Sequence, residues 1–194
     1  TMHWGMNIII SLLVIFGGLG FTAIIELYEY LIGKRRKISV NSKFSTLITL
    51  LLLGVGTFLF FILEYRYTGE LTDGSVQQRL LVSFFHSASL RTAGFSTVSL
   101  AGISGATALL CMLLMFIGAS PNSTGSGIKT TTFGILYLGV RTSLLNKRYI
   151  EYSKRRISWQ LFNKASTLVF IASSYIMIMA ILMMYFDRDK EPIK

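Results

Sequence analysis

The sequence predicts an all-α membrane protein built from helix, pore loop, helix repeats, and three observations carry that prediction. Apolar residues (AVILMFWYC) make up 52% of 194 residues, only 14% are charged, and the mean hydropathy is +0.58. Soluble domains carry roughly a quarter charged residues. Several apolar runs approach the ~20 residues a bilayer-spanning helix needs. Between two of them lies Phe84 to Val98, FFHSASLRTAGFSTV, too polar and too short to cross as an ordinary helix. It starts like a helix, Leu80, Leu81 and Val82 just before it making an apolar patch with Phe84 and Phe85, and breaks at Gly94. A helix that enters part way, stops and returns as extended backbone is a re-entrant loop in outline. Such backbone persists at membrane depth only where protein buries it or water and ions line it.

Nineteen Lys and Arg against nine Asp and Glu give a net charge of +10. In a soluble protein that excess would suggest nucleic acid. Here the basic residues collect in loops beside apolar runs, as cytoplasmic loops do under the positive-inside rule, so membrane lipid and not nucleic acid is the expected surrounding. Cys111, the one cysteine, stands inside an apolar run and reads as a small packing residue, with no disulfide framework.

In chain order, a first span covers Met6 to Leu27, with Gly17, Gly18 and Gly20 letting another backbone approach closely. It ends at Gly33 and the cytoplasmic cluster Lys34, Arg35, Arg36, Lys37. The next span runs from Phe44 to Leu63. The loop after it carries Glu64, Arg66, Glu70, Asp73 and Arg79, a nearly balanced set that belongs outside, with Tyr65 and Tyr67 at the interface. The re-entrant stretch starts and ends on that side. An interrupted span follows: Ala106 to Ile117, then the polar Gly118 to Thr132, GASPNSTGSGIKTTT, then Phe133 to Leu145. Arg141, Lys147, Arg148, Lys154, Arg155, Arg156 and Lys164 mark a second cytoplasmic stretch. A last span, Ser166 to Phe186, returns outward to Asp187, Arg188, Asp189 and Lys190.

Lys43-Phe44-Ser45-Thr46-Leu47 echoes Lys164-Ala165-Ser166-Thr167-Leu168, and Leu12 to Gly18 echoes Leu113 to Ala119. These echoes imply a repeated unit of helix, re-entrant loop, helix, related by an axis along the membrane normal. Residues 1–40 then hold the second helix of one unit, 41–157 a complete unit and 158–194 the first helix of the next. A pore needs loops from several units, so the chain is expected to be part of a larger protein.

An ion stripped of water must be given oxygen ligands, which backbone carbonyls can supply. Thr92-Ala93-Gly94-Phe95 is the candidate: Gly94 frees the backbone, and the short helix before it aims the negative end of its dipole at the ion path. Phe95 is expected to pack outward, Ser96 and Thr97 to offer hydroxyls at the mouth, and Arg91 to turn away toward a carboxylate or carbonyl. Taken alone, the same four residues also read as an ordinary external turn with Gly94 at positive φ. Gly118 to Thr132 reads either as a helix kinked at Pro121 or as a mobile plug that gates the route, with Lys129 presenting charge near it or pairing with a neighbouring helix. Gly125-Ser126-Gly127-Ile128-Lys129-Thr130 lacks the Gly directly before Lys that a phosphate-binding loop requires. His86 reads as a packed, hydrogen-bonded residue, Glu26 and Glu29 as partners of Lys34 or Arg35, and Met177, Met179, Met183 and Met184 as lipid-facing or packing surface.

RTAGFSTV followed about 25 residues later by GASPNSTGSGIKTTT resembles the third repeat of the Trk/Ktr/HKT superfamily of potassium transporters, most of all its bacterial KtrB-type membrane subunits. Phe16-Gly17-Gly18-Leu19-Gly20-Phe21 is similar to the second helix of that superfamily's second repeat. The resemblance implies four units around one pore, a homodimer, and a cytoplasmic nucleotide-binding ring of RCK domains as partner. It implies filter residues Thr92, Ala93, Gly94 and Phe95, with potassium at their carbonyls. It further implies a gating loop containing Gly118, Ser120, Pro121, Asn122, Ser123, Thr124, Gly125, Ser126, Gly127 and Lys129. Ser96 stands where Asn is frequent, and Ala119, Asn122 and Ser126 where that loop often has Gly, which should stiffen it. The function implied is potassium uptake across the cell membrane, with no cofactor, sodium as a candidate coupling ion, and no enzymatic chemistry. The alternatives are a secondary transporter binding an organic anion at Lys129 and the broken helix, and a non-transporting scaffold.

Overall fold

The structure is a computed structural model that describes residues 4–65, 75–97, 103–153 and 155–187. Seven helices and one small hairpin make it up among those residues: α1 Trp4–Leu19, α2 Phe21–Leu31, α3 Val40–Tyr65, α4 Val76–Ser89, α5 Gly105–Phe116, α6 Thr130–Leu144, β1 Ile150–Tyr152, β2 Arg155–Ile157 and α7 Trp159–Asp187. The chain falls into two compact units, Thr1–Gly134 and Ile135–Lys194.

In the first unit the expected Met6 to Leu27 span is not one helix. The chain turns through 102° between α1 and α2. The reason is Gly20, whose φ of 86° lies in the left-handed region that side chains disfavour. α2 ends as Gly33 takes a positive φ of 79° and donates its N–H to Tyr30 O, a glycine-terminated helix. Arg35 then bridges Glu26 at 3.2 Å and Glu29 at 3.6 Å, while Glu26 Oε2 also accepts from the Ser39 backbone, so the two acids are used as the sequence suggests.

α3 is long and apolar enough to cross a bilayer over Val40–Glu64. Its last turn holds Glu64, expected in the outer loop but in fact buried, its carboxylate accepting the N–H of Ser104 where α5 begins. Arg66, Tyr67, Glu70, Asp73, Val98, Lys154 and Arg188 to Lys190 lie outside the described residues.

α4 has 14 residues, about 21 Å at the helical rise, too short to span. A reciprocal capping box starts it: Gln78 N donates to Ser75 Oγ, and Ser75 N to Gln78 Oε1. It packs on α1 and α3, closest where Gly56 of α3 faces Ser87, whose hydroxyl donates to Leu53 O. A Cβ on Gly56 would overlap that hydroxyl, so the small residue sets the helix separation. Phe60, Val82, Leu90, Cys111 and Leu114 close the core around the end of α4.

In the second unit β1 and β2 pair antiparallel, Ile150 with Ile157 and Tyr152 with Arg155. This hairpin interrupts a basic stretch the sequence presents as plain loop. Ile150 is fully buried, and the Arg156 guanidinium lies 4.3 Å from the Tyr149 ring centre. On α6, Gly139 admits the ring of Phe162. α7 begins two turns before the expected Ser166 and has the length and apolar character to span a membrane. Met177, Met179, Met183 and Met184 are all exposed on it.

Candidate functional site

The candidate site is built from the turn after α4, the segment between α5 and α6, and the break between α1 and α2. α4 stops because its last carbonyl is saturated: Ser89 O accepts the N–H groups of Thr92, Ala93 and Gly94 at 3.2, 2.8 and 2.9 Å. Gly94 then turns with φ 71°, and Ser89 Oγ donates to Phe95 O at 2.6 Å. The carbonyls of Thr92, Ala93 and Gly94 accept no hydrogen bond among the described residues. Thr92 and Ala93 are half-buried and Gly94 is exposed, so the turn carries three successive accessible carbonyls with no donor of the protein's own among the described residues.

The residues around that turn sort themselves by polarity. Arg91 is 6% exposed and reaches away to Thr49 O on α3, at 3.0 Å, the carbonyl partner its position demanded. His86 is fully buried, its Nδ1 2.9 Å from Val82 O and its Nε2 3.3 Å from Ser96 Oγ, with its ring stacked on Phe60. Ser96 is exposed with its hydroxyl near His86, and the Thr97 hydroxyl is buried. Phe95 is 60% exposed.

Between α5 and α6 the helix is interrupted over 117–129, far more than a kink at Pro121 would produce. The two ends meet in a neck. Ile117 and Ile128 form a parallel bridge, Ile128 N donates to Phe116 O, Ala119 N to Ser126 O and Thr130 N to Ala119 O. Gly118 lets the neck close, because a Cβ there would overlap the Ser126 carbonyl. Within the loop Asn122 takes a positive φ of 57°, and Ser123 Oγ donates to Ser120 O. Lys129 Nζ donates to Gly125 O at 2.7 Å, so its charge is taken up by its own loop and not by a neighbouring helix.

Turn, loop and break meet at Thr92. A Cβ on Gly18 would stand 3.6 Å from Thr92 Cγ2, and one on Gly125 would stand 2.7 Å from the same methyl. On the far side of the loop, Ser120 Oγ lies 3.2 Å from Thr49 Oγ1 and 3.2 Å from Thr130 Oγ1, all three fully buried or nearly so. Thr49 and Thr130 escaped the sequence reading, since nothing in their local pattern marks them. The Ser75-Gln78 capping box also escaped that reading, although S-x-x-Q before an apolar run is a signal that could have found it.

Two helices long and apolar enough to span, a bent pair, a helix too short to cross and an interrupted helix define a polytopic integral membrane protein. The chain belongs to the TrkH family of cation transport proteins, which matches residues 4–187. That is a family of membrane ion transporters and not of enzymes. Over 179 residues the chain is 35% identical to the Ktr system potassium uptake protein B of Vibrio alginolyticus, covering 91% of this chain and 39% of that protein. The potassium/sodium uptake protein NtpJ of Enterococcus hirae is 36% identical over 166 residues, covering 86% and 36%. Among solved structures, the potassium transporter TrkH from Vibrio parahaemolyticus superposes with a TM-score of 0.71 at 20% identity, covering 97% of this chain and 40% of that one. The chain thus spans about two fifths of the length of the relatives it matches.

Proposed function

We propose that this chain is the middle of a four-unit transporter that takes potassium up across the cell membrane, with Thr92, Ala93, Gly94 and Phe95 as one quarter of its filter. The single observation that carries the reading is the run of open carbonyls at Thr92, Ala93 and Gly94, at the end of a helix too short to cross. Related potassium and potassium/sodium uptake proteins support potassium as the ion, with sodium a candidate for coupling. Gly118, Ser120, Pro121, Asn122, Ser123, Thr124, Gly125, Ser126, Gly127 and Lys129 form the gating loop of this reading, which is supported by its contact with Thr92.

The unit boundaries 1–40, 41–157 and 158–194 belong to the same proposal. Both inward-running helices break at the matching segments: α1–α2 at Gly20, just past Leu12 to Gly18, and α5–α6 over 117–129, beginning within Leu113 to Ala119. The working assembly of this reading is a homodimer joined on the cytoplasmic side by a separate regulatory ring of nucleotide-binding RCK domains, a division of labour in keeping with relatives named as components of a Ktr system.

Rubidium uptake into potassium-starved cells expressing the complete protein tests the proposal. Gly94→Arg should abolish it and Lys129→Ala should leave a cation flux. Organic-substrate uptake lost in Lys129→Ala, with Gly94→Arg harmless, would replace the proposal with an anion transporter. Deleting Ser123 to Gly127 should raise the flux if the loop gates. Unchanged or lower flux from a folded protein would remove the gate.

A further inference from the structure

The break between α1 and α2 leaves backbone groups without helical partners on both sides: carbonyls at the end of α1 and N–H groups at the start of α2. The loop 117–129 satisfies both kinds at once. Ser120 N donates to Gly18 O at 2.9 Å, and Phe21 N donates to Asn122 O at 3.0 Å. Thr124 Oγ1 adds a longer bond to Gly17 O at 3.4 Å. A donor and an acceptor two residues apart in the loop thus match an acceptor and a donor three residues apart across the break.

Resting on the gating-loop reading above, we infer that the α1–α2 break is the seat of the loop, with Gly20 as its positioning residue. An unbroken helix would satisfy Gly18 O and Phe21 N internally and offer the loop nothing to hold. Gly20 is required twice over. Its φ of 86° is one that L side chains avoid, and a Cβ there would run into the Pro121 carbonyl oxygen. Gly17 and Gly18 keep the facing surface low enough for Thr124 and Ala119 to approach. Substitution at Gly20 therefore displaces the loop even where α1 and α2 stay helical.

Gly33 is the internal control: its φ is 79°, yet no atom lies within 4 Å of a Cβ placed on it, so Gly33→Ala imposes the backbone penalty without touching the loop. In cells expressing the complete protein with its cysteines replaced, Ser123→Cys reports loop exposure by its rate of labelling with a membrane-permeant maleimide. Gly20→Ala should raise that rate about tenfold over Gly33→Ala, because the backbone penalty is shared and only Gly20→Ala drives a methyl group into the loop. A second measurement guards against a Gly20 variant that fails to fold. A Cβ on Gly17 would stand 3.4 Å from Thr124 Oγ1, so Gly17→Cys with Thr124→Cys should form a disulfide on oxidation. Oxidation should then reduce rubidium uptake, and reductant should restore it. No disulfide in a folded double variant, or equal labelling in Gly20→Ala and Gly33→Ala, overturns the seat. A disulfide that forms with uptake unchanged leaves the seat standing and removes the gate.

Discussion

The Arg91 guanidinium donates to the Thr49 carbonyl at 3.0 Å, and through that bond α3 holds the turn that follows α4. Thr49 serves the other polar element as well, since its hydroxyl lies 3.2 Å from Ser120 in the interrupted segment. One residue in an apolar span thus fixes both irregular segments. No carboxylate pairs with Arg91 among the described residues, so the turn keeps its cation at a distance without placing an acid beside it.

Arg91→Met should leave the fold largely intact, because it deletes a buried charge together with its desolvation cost. The turn loses its tether, however, and a hydrogen bond from a charged donor is worth about 1.5–3 kcal/mol. Rubidium uptake by the complete protein should fall roughly ten- to a hundredfold, while its melting temperature in detergent changes little. Wild-type uptake in Arg91→Met would show that the tether is dispensable.

The Thr49 hydroxyl can be removed without its carbonyl. Thr49→Val keeps the acceptor for Arg91 and loses the contact with Ser120, and Ser120→Ala removes the other side. In a double-mutant cycle on thermal unfolding the two should couple by about 0.5–1.5 kcal/mol. Strict additivity would mean that α3 does not hold the loop.

Ser89 shapes the turn with two different atoms, and they can be separated. Its carbonyl collects three N–H groups, and its hydroxyl takes the carbonyl of Phe95. Ser89→Ala preserves the first and frees the second. The preference for rubidium over sodium should shift by about fivefold, the ratio expected from one neutral hydrogen bond of ~1 kcal/mol, with expression unchanged. Gly94→Ala probes the backbone instead. No atom lies within 4 Å of its Cβ position, so only the positive φ penalises it, by roughly 1–2 kcal/mol.

A short helix ending in a glycine turn was readable in the sequence because polarity and length mark it: α4 has 14 residues, and Gly94, the one residue in the turn free of a side chain, takes the positive φ. Cys111 and His86 were read as packing residues for similar reasons, and both are buried. The break at Gly20 was harder to see, since Gly17, Gly18 and Gly20 are as compatible with a close helix crossing as with a bend. Only Asn122 and Ser120, 100 residues away, distinguish the two. Lys129 carried a charge whose partner, Gly125 O, depends on the loop closing on itself, and no spacing in the chain announces that. The hairpin at Ile150–Ile157 was hidden by its basic residues, which satisfy the positive-inside pattern whether paired or not.

Gly118 faces Ser126 across the neck so tightly that even a methyl group has no room, and the neighbouring atoms are backbone, unable to rotate aside. Gly118→Ala should therefore part the neck, breaking the Ala119 to Ser126 bond first because at 3.3 Å it is the longest of the three that close it. Overpacking of this kind costs about 1–3 kcal/mol, which should appear as a lower melting temperature and faster amide exchange at Ala119 and Ile128. A parted neck still holds Ser120 on Gly18, so the loop remains on its seat while its closure loosens. If the loop gates, uptake should rise in Gly118→Ala by less than in Gly20→Ala, where the seat itself is lost. The reverse order would place control of the route at the neck and not at the break.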